Sequence, residues 1–217
     1  TRRPAFWVVA MLCGAAVCVA VSTGLIGTSV PRLVAHLLAH STTVFNEALP
    51  LHTLETGLLV LPATGFLGAL FPLSLELIGA HGRGAARPFS VVYAINTVAA
   101  IGGSFAAGFI FIPRLGLQST LLAVAVMLLA TAVIILALMR VPTRVRFAGL
   151  GLVVFGAAFV LSTPTWDREL LAAGVYKYAP YVQPDLDLES ALKAGTLLYY
   201  KDGAASTVSV KLLTGTL

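Results

Sequence analysis

Five stretches of this chain, 4–31, 56–75, 88–113, 115–139 and 147–166, contain no charged side chain. The shortest is 20 residues long. At ~1.5 Å rise per residue, that is enough helix to cross the ~30 Å of a hydrocarbon core. A helix that is apolar on every side belongs in a large core or in lipid. The pattern therefore predicts a mainly α chain: a polytopic transmembrane helix bundle of about five spans, then a short α/β tail ending in a β-hairpin. Only 11% of the residues are charged, against about a quarter in an ordinary soluble domain. The net charge of +5 does not point to nucleic acid. The arginines stand singly or in pairs between apolar runs, as topology signals do, and form no basic stripe.

Walking the chain places the spans at about 6–26, 54–78, 89–112, 117–139 and 147–161. Residues 1–163 then form the bundle, 164–194 an interfacial linker, and 195–217 a β-hairpin that opens a soluble domain. The first span is too long for a signal-peptide core, and others follow it. The chain starts without Met and stops inside a strand-like pattern, so it reads as a piece of a longer protein. Cys13 and Cys18, both inside the first span, read as small apolar side chains. Gly24, Gly27, Ser29 and Pro31 are expected to loosen the end of that span. Residues 32–52 then read as an amphipathic connector on the membrane surface.

The second span contains Pro62 and Pro72 with Gly65 and Gly68 between them. Proline removes a backbone donor and crowds the preceding turn, so a kink is expected. The third span carries Ala99, Gly103 and Ala107 at intervals of four, a smooth stripe against which another helix can pack closely.

The tail changes character. Trp166, Tyr176, Tyr178 and Tyr181 suit an interfacial anchor. Asp185, Asp187 and Glu189 read as a solvated linker. Val208, Val210 and Leu212 alternate with Thr207, Ser209 and Lys211, the period of a half-buried strand. With Thr196 to Tyr200 before it and Asp202-Gly203 as the turn, this predicts an antiparallel hairpin.

Few residues suggest chemistry. Glu55 and Glu76 flank the second span, and an intramembrane carboxylate is a functional candidate by default. Their positions at its ends weaken that reading. Asn96, beside Thr97 in the third span, is a buried amide that suits helix–helix bonding better than a substrate site. Together with Pro62 and Pro72 these are the candidate polar and hinge positions. His36 and His40 share a helix face, and Glu47 and His52 could join them around a metal. Interfacial polar residues are the plainer reading, because no HExxH pattern is present. No Gly-rich phosphate loop or nucleophile elbow occurs. No residue is assigned as catalytic, cofactor-binding or metal-binding.

Arginine counting orients the bundle. With five spans, Arg2, Arg3, Arg83, Arg87, Arg140, Arg144 and Arg146 share one side, and only Arg32 and Arg114 lie in the short loops opposite. The richer side is cytoplasmic by the positive-inside rule, so the tail is expected outside.

Three passages carry a resemblance: YAINTVAAIGGSFAAGFIFIPRLG at 93–116, WDRELLAAGVYKY at 166–178, and LYYKDGAASTVSV at 198–210. Together they resemble the membrane-embedded spermidine synthase-like proteins, in which a multi-span region precedes a polyamine aminopropyltransferase-type domain. The likeness covers about 50–213, and the third passage is the most specific. It implies that the hairpin matches the small β-domain ahead of a Rossmann-like catalytic fold. That fold would use decarboxylated S-adenosylmethionine as co-substrate and bind a polyamine through acidic residues. Its catalytic motifs would lie beyond Leu217, so no cofactor is expected within this chain. The implied setting is an integral, multi-pass protein of a bacterial inner membrane, with the lipid bilayer as partner and polyamine as a candidate ligand. A carrier with a flexing second span and a non-catalytic membrane scaffold are the competing readings.

Overall fold

The structure, a computed structural model, describes residues 4–40, 44–77, 86–139, 141–178 and 187–212, with backbone alone for 36–40, 44–49, 51, 52, 86, 176 and 177. It is mainly helical. Helix α1 is Pro4–His40, α2 Val44–Leu77 and α3 Ala86–Ala106. A π-turn, Ala107–Phe111, and a short α4, Ile112–Leu115, continue α3. Then come α5 Leu117–Leu138 and α6 Thr143–Ser162. Five helical stretches are long and apolar enough to cross a membrane: Pro4–Ala35, Thr53–Leu77, Arg87–Leu115, Leu117–Leu138 and Thr143–Ser162. The tail holds α7 Arg168–Leu171, α8 Val175–Tyr178, α9 Leu188–Leu192, and strands β1 Thr196–Asp202 and β2 Thr207–Leu212.

Helix α1 is the hub. Val8, Val9, Leu12, Cys13 and Ala16 recur at helical spacing and form one core with Ala125, Leu129, Ala132 and Leu136 of α5. Helix α6 closes on α5 through two glycine notches. A Cβ on Gly149 would lie 2.8 Å from Leu136 Cδ2, and one on Gly156 2.8 Å from Leu129 Cδ2. The two notches are seven residues apart on each helix, so the same face repeats every two turns. Helix α2 lies antiparallel on α1. The Phe66 ring packs on Gly14, and Ser22 Oγ donates to the Leu59 carbonyl at 2.7 Å.

That register corrects two expectations. Gly24, Gly27, Ser29 and Pro31 do not end the first helix, which continues unbroken to His40 with Pro31 inside it. The expected connector at 32–52 is not a separate element either. It consists of the far ends of α1 and α2, with 41–43 outside the described residues. The α5 and α6 ends meet α1 near Gly24, where Pro164 packs. Residues 25–40 of α1, with the first half of α2 antiparallel beside them, therefore extend ~24 Å beyond the ends of α5 and α6. The uncharged stretch 4–31 is 28 residues long, and its far end packs against the tail through Gly24 and Gly27. Helix α2 is likewise continuous through Pro50, Pro62 and Pro72.

Helix α3 stands apart. It leaves α2 through an edge-to-face contact, Phe71 on Phe89, with centroids 5.8 Å apart. None of its span is buried. The expected small-residue stripe meets no helix within the described residues: a Cβ on Gly102, Gly103 or Gly108 would find open space, and Ala107 falls in the π-turn. Proline explains the turn. Pro113 has no N–H and its ring crowds the carbonyl four residues back, so the helix widens just before it. The Ile112 N–H reaches the Ala107 carbonyl, five residues back.

The hairpin is antiparallel as expected, with Asp202 opposite Thr207, Tyr200 opposite Ser209 and a bulge between Leu197 and Tyr199. Its turn is longer than Asp-Gly alone: Asp202 ends β1, and Gly203 N–H donates to the Ser206 carbonyl at 3.0 Å. The expected half-burial is not found: in β2 only Lys211 is half-buried, and Thr207 and Ser209 are exposed too. Val208, Val210 and Leu212 are each about half exposed, at 53%, 49% and 52%. On the opposite face Asp202 meets α5, while Tyr200 and Lys211 meet α7 and α9.

Candidate functional site: the junction of bundle and tail

The five positions proposed from sequence do not converge. Glu55 and Glu76 lie on one helix, 21 residues and so ~30 Å apart. Both are half-buried, near the two ends of the apolar part of α2. Pro62 and Pro72 lie between them on the exposed side, and Asn96 is exposed on α3. The side chains of His36, His40, Glu47 and His52 lie outside the described residues, as do Asp185 and Tyr181. Among the described residues, no group of three or more His, Cys, Asp or Glu could hold a metal ion.

What the fold does assemble is a junction at one end of the bundle, where the tail folds back on α1 and on the start of α5. Trp166 is its first fixed point. Its indole N–H donates to the Thr23 carbonyl at 2.7 Å, and its ring fills the space that a side chain on residue 27 would need. Gly27 is thus a notch for Trp166, and Gly24 serves Pro164 in the same way, with a Cβ there only 3.3 Å from Pro164 Cδ. Gln118, at the start of α5, clamps the same segment: its Nε2 donates to the Pro164 carbonyl at 2.7 Å and its Oε1 accepts from the Trp166 N–H at 3.1 Å. Trp166 is therefore a helix-docking residue.

The second fixed point is an ion-pair chain. Arg32 meets Glu189 with two bonds, Nε to Oε2 at 2.8 Å and Nη2 to Oε1 at 3.1 Å. Lys193 bridges Glu189 at 2.7 Å and Asp167 at 2.6 Å. Asp167 also caps α7 by accepting from the Leu170 N–H at 3.1 Å, and Asp187 caps α9 through the Ser190 N–H at 3.0 Å. Glu189 is thus a docking residue and not part of a solvated linker. The Arg32 and Lys193 bonds pull its carboxyl down to about 2. Burial pushes the Asp167 carboxyl up, but the bonds from Lys193 and the Leu170 N–H outweigh it, and the net shift is downward. Lys193 is raised by its bonds to Asp167 and Glu189. Beneath this chain Val34 and Ala35 of α1 form a second core with Ala173, Val175 and Leu192.

The third fixed point is Asp202. Gly116 turns the corner into α5 with φ 85° and has no side chain to cap that helix. Asp202, 85 residues beyond Leu117, supplies the cap: its Oδ2 accepts the Leu117 N–H at 2.9 Å, while its Oδ1 takes the Thr207 hydroxyl at 2.8 Å. A carboxylate is well placed there, because the first N–H groups of a helix lack partners and carry partial positive charge. Beside it, Arg168 lies 5.8 Å over the Tyr200 ring. Burial, then the Asp202 charge, raises the Tyr200 hydroxyl.

Between α1 and the α7–α8 segment lies a cleft of about 370 Å³ lined by Val30, Pro31 and Val34 on one side and Leu171, Gly174 and Val175 on the other. Its lining side chains are all apolar. Every ionised group of the junction named above faces an opposite charge, a backbone N–H, a hydroxyl or an aromatic ring. The arrangement is suited to holding the tail in place and offers no nucleophile with a base beside it.

Of these contacts only the Glu189–Lys193 pair, four residues apart, is suggested by spacing alone. Asp167 and Asp187 carry a weak signal, since each precedes a short apolar run with an acid two residues on, as helix starts do. Gly27 with Trp166, Arg32 with Glu189 and Leu117 with Asp202 are separated by 85 residues or more and leave no local trace. No protein-family model matches this chain, and neither does any curated protein or solved structure.

Proposed function

We propose that this chain is the membrane-anchoring region of a spermidine synthase-like protein, and that its work is to hold a following α/β unit against one end of the bundle. The reading rests on the three passages at 93–116, 166–178 and 198–210. A single observation carries it in the fold: the hairpin is tied to the bundle through Asp202 and leaves Val208, Val210 and Leu212 outward. An apolar sheet face of that kind is what a further layer of a globular domain would cover. The five long apolar helices then span the bilayer of a bacterial inner membrane, with lipid as their partner. Aminopropyl transfer from decarboxylated S-adenosylmethionine to a polyamine would be the chemistry of the unit that follows. The test is the full-length protein incubated with putrescine and decarboxylated S-adenosylmethionine. Spermidine is the expected product, and no product refutes the transferase.

A specific observation favours a second reading, a non-catalytic scaffold. The tail packs at the end of the bundle that carries Arg32 and Arg114, away from Arg87, Arg144 and Arg146. By the positive-inside rule that end is extracytoplasmic, whereas S-adenosyl cofactors are cytoplasmic. Alkaline phosphatase fused after residue 194 separates the two, since an active fusion places the tail outside and rules out a cytoplasmic synthase. The carrier reading has less support. Pro62, Gly65, Gly68 and Pro72 lie on the open side of α2.

A further inference from the structure

We propose that α3 is the contact between two copies of this chain, paired in parallel about a two-fold axis, with the Asn96 amide of each copy bonded to the same amide of the other. The inference rests on the reading of the long helices as bilayer spans and does not depend on the transferase.

The two sides of α3 differ. Asn96, Ala99, Ala100 and Gly103 recur at helical spacing on one side. A Cβ on Gly103 would find open space there. Phe89, two turns before Asn96, touches Phe71 of α2 from the same side. Beyond that contact the two helices part, since Gly68, one turn from Phe71, is equally open. The opposite side carries Val98, Ile101 and Phe105, which are 70%, 67% and 60% exposed. These are the bulky apolar side chains that suit lipid, whereas small residues let a second backbone approach closely.

The amide decides what approaches. Asn96 is exposed, and among the described residues nothing bonds its side chain. Thr97 beside it differs: its hydroxyl donates to the Tyr93 carbonyl at 2.9 Å. Asn96 stands nine residues past Arg87, the charged end of the Arg87–Leu115 span, and so ~14 Å along it. Hydrocarbon at that depth offers neither donor nor acceptor, so a lipid chain packed on this side leaves the amide bare. A second amide satisfies it, because each carries both a donor and an acceptor. Two copies inserted the same way in one membrane hold their α3 helices parallel. A two-fold axis along the membrane normal then sets the two Asn96 amides at one depth, opposite each other.

The test uses the full chain in lipid vesicles. Donor-labelled and acceptor-labelled copies are mixed over a series of protein-to-lipid ratios, and energy transfer reads their association. The parent is expected to form dimers that dilution in lipid dissociates. Asn96→Leu should weaken association by about three- to thirtyfold, the range of an interhelical hydrogen bond in a membrane. Asn96→Gln keeps a donor and an acceptor and should recover part of that loss. Gly103→Leu fills the place of closest approach and should weaken association by about tenfold or more. None of the α3 span is buried in the single chain, so these changes should leave the melting temperature of the α1–α5–α6 body in detergent unaltered. That separates lost pairing from lost folding. Single cysteines placed along 94–105, in a Cys13→Ala, Cys18→Ala background, map the face. Crosslinks between copies are expected at Asn96, Ala99, Ala100 and Gly103, and not at Ala94, Val98, Ile101 or Phe105. A parent that stays monomeric overturns the pair. So does association indifferent to Asn96→Leu and Gly103→Leu, or crosslinking that is even along the helix or peaks on the Val98 side. Flotation with the vesicles at alkaline pH reads insertion separately: protein that fails to float removes the bilayer and the pair together, whereas a floating monomer removes the pair alone.

Discussion

Gly27→Ala tests the docking of the tail most directly. In the parent, Cδ1, Cγ and Nε1 of Trp166 occupy the space of the missing Cβ. These atoms lie at the root and middle of the ring, so a small rotation of its far edge cannot make room. The indole must leave the notch, and with it goes the 2.7 Å bond from Nε1 to the Thr23 carbonyl. Overpacking of this kind costs ~1–3 kcal/mol. The lost hydrogen bond adds about 1 kcal/mol, for a total of about 2–4 kcal/mol against docking of the 163–167 segment. The chain has 2 Trp, so Trp166 emission is read alone in a Trp7→Phe background. The parent should emit from an enclosed indole, shielded from an aqueous quencher. Gly27→Ala should shift the emission to the red, open it to quenching and speed proteolysis after residue 163. Trp166→Phe keeps a six-membered ring in the notch and loses the bond with part of the indole, so it should show a smaller proteolytic effect. Unchanged emission and protease resistance in Gly27→Ala would refute the notch.

Acid should release the α9 contact. The folded Glu189 carboxyl lies at about 2 against an ordinary 4.5, so it is depressed, and its contribution is present above 4.5 and lost as pH falls from there toward 2. Tail protection measured across that window should decline, and Glu189→Gln should flatten the decline. Leu170 is 1% exposed, so Leu170→Ala should weaken tail docking by ~2–4 kcal/mol without lowering the melting temperature of the five-helix body in detergent. Gly156→Ala acts on the body instead, because its new Cβ meets Leu129 Cδ2 at 2.8 Å. A loss of ~1–3 kcal/mol is expected. Adding Leu129→Ala should remove that clash, so the double-mutant cycle in detergent melts should show a favourable coupling between the two sites.

The five apolar helices and the antiparallel hairpin are legible in the sequence because each depends on near neighbours. Uninterrupted apolar runs of 20 residues or more leave the backbone little choice but helix, and the alternation from Thr207 to Leu212 leaves it little but strand. Helix ends are less legible. Gly24, Gly27 and Pro31 carry the composition of a terminus, yet α1 runs through them, because the notch at Gly27 is filled by the ring of Trp166, far along the chain. The same limit applies to Glu189, which has no local partner but Lys193, and to Val208, whose alternation marks an apolar face without saying which face meets the body.

Local chemistry, then, determined the number of long apolar helices, their composition and the form of the tail. Tertiary structure decided that α1 is the hub and reaches beyond the ends of α5 and α6, that α3 stands apart, and that the tail is fixed by Trp166, Glu189 and Asp202. The physical reason is range. Helix and strand are selected by interactions over a few residues, whereas a notch, an ion pair or a borrowed helix cap requires two distant segments to meet, and only the packed chain specifies which ones do.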